Sequence, residues 1–185
     1  GWSVVYRADY GSFSSISSMF GGIAAGSMVM LAGIRDGSST IDVLAAATIE
    51  DVLQHTAWNA THAANGAQWY SNGYSLGFAG LGDTIYQNSA DTNGWSERDR
   101  LSWHTGVSGT DWGNFQQDPN APASVILGGW RSGDNTDLND STDWDKMVLV
   151  QAAPVPEPET YALMLAGLGL LGMAQRRRKQ QAASA

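Results

Sequence analysis

Residues 124–152 read SVILGGWRSGDNTDLNDSTDWDKMVLVQA. Two apolar runs, SVILGGW and DKMVLVQA, flank a stretch of Gly, Asp, Asn, Ser and Thr suited to consecutive turns. Both runs are shorter than an ordinary helix, and a short apolar run bounded by turn residues is the pattern of a buried strand. The rest of the first 153 residues repeats that design. WSVVY, SMVMLAGI, STIDVLAAATI, YSLGFAG and RLSWHTG stand between Gly-, Asn- and Asp-rich punctuation. A mostly β domain follows, a β-sandwich or a jelly roll.

Two segments test that reading. Thr48, with Asp51 three residues on and Val52, Leu53 and Ala57 after it, could cap and begin an amphipathic helix through HTAWNATHAA as readily as it could stay extended. The run IAAGSMVMLAGI at residues 23–34 is too short for a membrane span and meets Arg35 and Asp36 at once, so it is expected to be a buried strand.

The chain has 185 residues, 43% hydrophobic and 15% charged, with no cysteine and a net charge of −8. Disulfides, thiolate nucleophiles and cysteine-bound metals are thereby excluded. Residues 1–153 hold 6 of the 10 basic and 16 of the 18 acidic side chains. An acidic body repels phosphate backbones, which argues against nucleic acid as a partner. The sequence begins directly on strand-like residues at Gly1 with no leader, and an N-terminal segment is expected to be missing.

The last 32 residues, 154–185, form a separate tail. Pro154, Pro156 and Pro158 make residues 154–160 a stiff extended stalk, which cannot join a helix or a central strand. Residues 161–174, including Tyr161, Leu163, Leu165, Leu168, Leu170 and Leu171, carry no charge. As a helix they extend about 21 Å at 1.5 Å per residue, a short single transmembrane span that local thinning of the bilayer can accommodate. Arg176, Arg177, Arg178 and Lys179 follow and hold residues 175–185 on the cytoplasmic side, which places the acidic body across the membrane.

A proline-acid-proline motif (Pro156, Glu157, Pro158), a short apolar helix and a terminal basic cluster, in that order over residues 154–179, resemble the PEP-CTERM sorting signal of exported proteins in Gram-negative bacteria. The same tail circulates as an "ice-binding protein C-terminal domain", although no Thr-x-Thr ladder suited to ice is present in the body. The resemblance implies export, recognition by an exosortase-like membrane protease, a cell-envelope or extracellular location with transient inner-membrane anchoring, and association with extracellular polysaccharide. LSWHTG at 101–106 and residues 128–152 are similar to a pattern met in the bodies of short PEP-CTERM proteins, which adds an address but no ligand. The expected role is structural or adhesive, and non-catalytic.

Four constellations in the body could carry more. Asp134, Asp137, Asn139 and Asp143 offer hard oxygens of the kind calcium takes, without the glycine and terminal glutamate of an EF-hand loop. The same residues serve equally as hydrogen-bonding turn formers. Trp130 and Trp144 could form a sugar-stacking platform, yet eight tryptophans are also useful core filler in a domain this size. His55 and His62 would share a helix face if their segment were helical, and His104 stands apart. Glu50/Asp51 and Glu97/Asp99 are carboxylate pairs of the type a glycan-active hydrolase employs, but neighbours in sequence rarely bracket a glycosidic bond. No cofactor beyond calcium is suggested.

Overall fold

In the computed structural model, which describes residues 1–87, 90–91, 100–151, 163–166 and 168, the apolar runs become strands of two antiparallel sheets. The chain runs β1 (Trp2–Asp9), β2 (Ser14–Ser15), α1 (Ile16–Phe20), β3 (Met28–Arg35), β4 (Val43–Thr48), α2 (Ile49–Leu53) and β5 (His62–Ala64). It continues through β6 (Ala67–Ser71), β7 (Ser75–Gly80), β8 (Leu101–Gly106), β9 (Val125–Ser132) and β10 (Trp144–Gln151). One sheet has the order β1-β10-β3-β4 and the other β2-β9-β8-β7-β6-β5. Strands β5 to β9 follow one another as a meander. The Greek-key crossings of a jelly roll are absent from that run, and of the two expected architectures the sandwich is the one described.

The sheets share one core. Val29, Leu31, Trp144 and Val148 come from the first sheet, and Trp69, Leu76, Phe78, Leu101, Trp103 and Ile126 from the second. Trp69 and Trp103 are wholly buried. Each such ring withdraws roughly 150–250 Å² from water, about 4–6 kcal/mol at 25 cal/mol per Å². Strand β3 accounts for the apolar residues 28–34 at the end of the run 23–34. Val29 and Leu31 enter the shared core, whereas Met30, Ala32 and Ile34 join Met147 and Leu149 in a second cluster on the other face. With both faces apolar, the strand shows no alternation.

The helical alternative after Thr48 is realised for only five residues. Thr48 Oγ1 accepts the backbone N–H of Asp51 at 3.2 Å and caps α2, as a Ser or Thr N-cap does. Asn59, at φ 54°, sits in left-handed backbone that no helix can continue through, and the chain returns as β5. Asn65 (φ 47°) and Gly66 (φ 82°) then supply the two positive-φ positions of a tight hairpin into β6. His62 therefore lies on a strand, and the helix face that would have paired it with His55 does not exist.

The chain divides into two units, Gly1–Ala153 and Pro154–Ala185. In the second, residues 163–166 and 168 are helical, with Leu163, Leu165 and Leu168 exposed. Among the described residues no helix is long and apolar enough to cross a membrane. Pro156, Glu157, Pro158, Tyr161, Leu170, Leu171, Arg176, Arg177, Arg178 and Lys179 lie outside the described residues, and with them most of the expected span.

Candidate functional site

The outward face of the six-stranded sheet carries a cluster of aromatic side chains around His104. Along β8, Leu101 and Trp103 point into the core, so the two-residue period turns Ser102 and His104 outward. His104 stands opposite Ser75 of β7 on one side and Gly128 of β9 on the other. Gly128 leaves a gap that other parts of the chain fill. A β-carbon there would lie 3.0 Å from Trp112 Cζ2 and 3.0 Å from the carbonyl oxygen of Asn139.

Around His104 the rings meet edge to face. Its centroid lies 6.4 Å from Tyr74, 6.0 Å from Trp112 and 5.9 Å from Trp130. Tyr74 carries the contact on to Trp58 at 4.9 Å, and Trp112 to Phe13 at 5.5 Å and Phe115 at 5.3 Å. Edge-to-face packing is the favoured geometry for such pairs. Trp58 is 37% exposed and Trp112 38%. Burial lowers the pKa of His104 from 6.5 to about 4, so at neutral pH the imidazole is uncharged among the rings.

Local turn chemistry places Trp112. Residues 110–114 read TDWGN: Thr110 N–H donates to Asn114 Oδ1 at 2.7 Å, Gly113 N–H to Asp111 Oδ1 at 2.8 Å, and Asn114 Nδ2 to Asp111 Oδ2 at 2.9 Å. These bonds close the turn upon itself and hold the tryptophan at its tip. Beside it, a cavity of about 360 Å³ is lined by Trp112, Asn139 and Asp140. Asn139 Oδ1 and Trp130 Nε1 are buried and make no hydrogen bond among the described residues. A backbone bond from Leu138 N–H to the Trp130 carbonyl, at 3.1 Å, ties these two segments together.

Further along the same face lies a buried charged group. Arg100 Nη1 donates to both oxygens of Asp91, at 2.9 and 3.1 Å, and neither residue reaches solvent. Desolvation raises the Asp91 carboxyl above its ordinary pKa, with the Arg100 guanidinium opposing that rise. Arg131 Nε donates to the carbonyl of Gly133 at 2.7 Å, and Tyr70 OH to that of Leu101 at 3.0 Å. These groups are enclosed.

The residues proposed from sequence are dispersed. Trp144 is buried in the shared core, where it meets Tyr10 edge to face at 6.4 Å, so it offers no face to a sugar. Trp130 is half-buried and belongs to the His104 cluster. Among the described residues no three Asp, Glu or His side chains gather as a metal site, so Asp134, Asp137 and Asp143 do not converge. Asp143 N–H instead bonds Ser141 Oγ at 3.2 Å, as a turn former would. Asp51 approaches His62 at 3.9 Å, and Glu50 accepts the N–H of Gly26 at 2.9 Å. Glu97 and Asp99 lie outside the described residues. Trp112 was not among the site residues read from sequence. Its signal was present in TDWGN, because a tryptophan set between Asp and Gly-Asn sits in a turn and not in a core strand.

Residues 154–179 match the family profile of the PEP-CTERM protein-sorting motif. No curated protein and no solved structure is matched.

Proposed function

From a chain that carries a PEP-CTERM sorting motif, the signal of an exported cell-envelope protein handled by an exosortase-type membrane enzyme, we propose a structural or adhesive protein of the cell surface or its extracellular polysaccharide matrix. The supporting observation is the attachment of that motif to a two-sheet domain whose loops present tryptophan rings to solvent. The role is non-catalytic, and the tail anchors the body in the inner membrane until it is processed.

Two manipulations in the native host test this separately. Replacing Arg176, Arg177, Arg178 and Lys179 with glutamine removes the charge that fixes orientation, and surface retention should be lost. Unchanged retention overturns the anchoring. Deleting residues 1–153 behind an intact export signal and tail should weaken matrix cohesion while routing of the tail continues; normal cohesion overturns the structural role. A glycan-active hydrolase would instead release reducing ends from the matrix polysaccharide.

A further inference from the structure

The cavity at Trp112 joins an exposed aromatic ring to an amide and a carboxylate, the groups a sugar site needs, and none of its described lining residues is Lys or Arg. Trp112 supplies an exposed ring held by its turn and by three edge-to-face neighbours, Phe13, His104 and Phe115. A pyranose presents C–H groups on its faces and hydroxyls around its rim, so it stacks on such a ring and hydrogen-bonds what flanks it. Here the flanking residues are Asn139 and Asp140, an amide and a carboxylate lining the same cavity. Gly128 lets the Trp112 ring and the Asn139 backbone pack directly on the sheet, where a β-carbon would press on both.

Charge narrows the ligand. The body is strongly acidic, and among the described residues the cavity lining holds no Lys or Arg to meet a uronic acid, sulfate or phosphate group. We propose that Trp112, Asn139 and Asp140 form a subsite for an uncharged polysaccharide, with Trp112 as the stacking platform and the other two residues as hydroxyl partners. This deepens the adhesive reading above and rests on it for the biological setting.

The test is native affinity electrophoresis of the full chain in mild detergent, through gels containing xyloglucan, galactomannan or dextran, with alginate as the anionic arm. Retardation is expected in at least one neutral gel. It should fall at least ten-fold for Trp112→Ala and be partly recovered for Trp112→Phe, while Trp2→Ala, at an exposed tryptophan on β1, migrates as the parent does. Melting curves of each variant identify any that unfolds, and Asn139→Ala then provides a second probe of the same cavity. Free migration in every neutral gel, retardation only by alginate, or retardation unaffected by both Trp112→Ala and Asn139→Ala overturns the subsite. None of these outcomes alters surface retention or matrix cohesion, so failure of the subsite and failure of the surface role are distinguishable.

Discussion

Gly129 of β9 lies against the ring of Tyr10, so closely that a β-carbon there would collide with Tyr10 Cδ1 and Cε1. Tyr10 is fully buried and joins the two sheets. Its N–H donates to the carbonyl of Trp144 at 2.6 Å, and its carbonyl accepts from Gly129 N–H at 2.7 Å. Gly129→Ala should therefore cost about 3 kcal/mol, the upper end of ordinary overpacking. A urea midpoint within experimental error of the parent's would show that the ring can move aside.

Trp144 and Trp112 both follow Asp in a Thr-Asp-Trp sequence, yet only the first is in the core. Trp144→Ala should cost about 3–5 kcal/mol of stability, as loss of a core aromatic does. Trp112→Ala should cost about 1 kcal/mol, in the range of ordinary point substitutions. Chemical denaturation of the two variants side by side checks the order, and equal costs would refute the division between core and surface rings.

His104 has its pKa lowered to about 4 by burial, against 6.5 when unfolded. Between those values the unfolded chain binds a proton that the folded chain does not. The stabilisation is thus complete above pH 6.5 and is lost as pH falls toward 4, by about 3 kcal/mol at 1.36 kcal/mol per unit. His104→Phe should flatten the stability profile across this window. A parent whose melting temperature is level from pH 7 to pH 4.5 would contradict the shift.

Asp91 has φ 61°, a backbone conformation that asparagine also adopts readily, so Asp91→Asn removes charge without new strain. It leaves the buried Arg100 without its nearest carboxylate. The expected cost is about 3 kcal/mol, because removing the bidentate partner takes away much of what offsets the desolvation of the enclosed guanidinium. A loss below 1 kcal/mol would place the compensation of Arg100 elsewhere, with Asp83 at 3.7 Å the first residue to examine.

The carboxylates of Asp134, Asp137 and Asp143 are not gathered. Millimolar calcium should then leave the melting temperature unchanged, since only a ligand selective for the folded state raises it. A calcium-dependent rise abolished by Asp137→Asn would show that this loop closes around the ion.

Strand identity was legible because it depends on local pattern. SVILGGW, DKMVLVQA and MVMLAGI each became a strand, and the Thr48–Asp51 cap was also written in four consecutive residues. What was not legible depended on the folded path. HTAWNATHAA has helical spacing, but the positive φ of Asn59 and the hairpin at Asn65 and Gly66 overrule it. Likewise Trp130 and Trp144 looked equivalent in sequence. A shift of register between Ser102 and Trp103 on β8 interrupts the β9 pairing at Trp130, whereas Trp144 begins a strand in the middle of the other sheet. Nothing local distinguishes the two rings. The sorting motif was legible in full because it is read as a linear signal.

Strand β10 lies between β1 and β3, with seven registered partners on one side and eight on the other, and it ends at Gln151, just before the stalk. A pull applied at Gln151 along the axis of this strand is met by β1 and β3 at once. The ladder bonds on both sides run across that axis, so they resist together and cannot be peeled one at a time. Strand β10 is thus the mechanical clamp of the body at its C-terminal end.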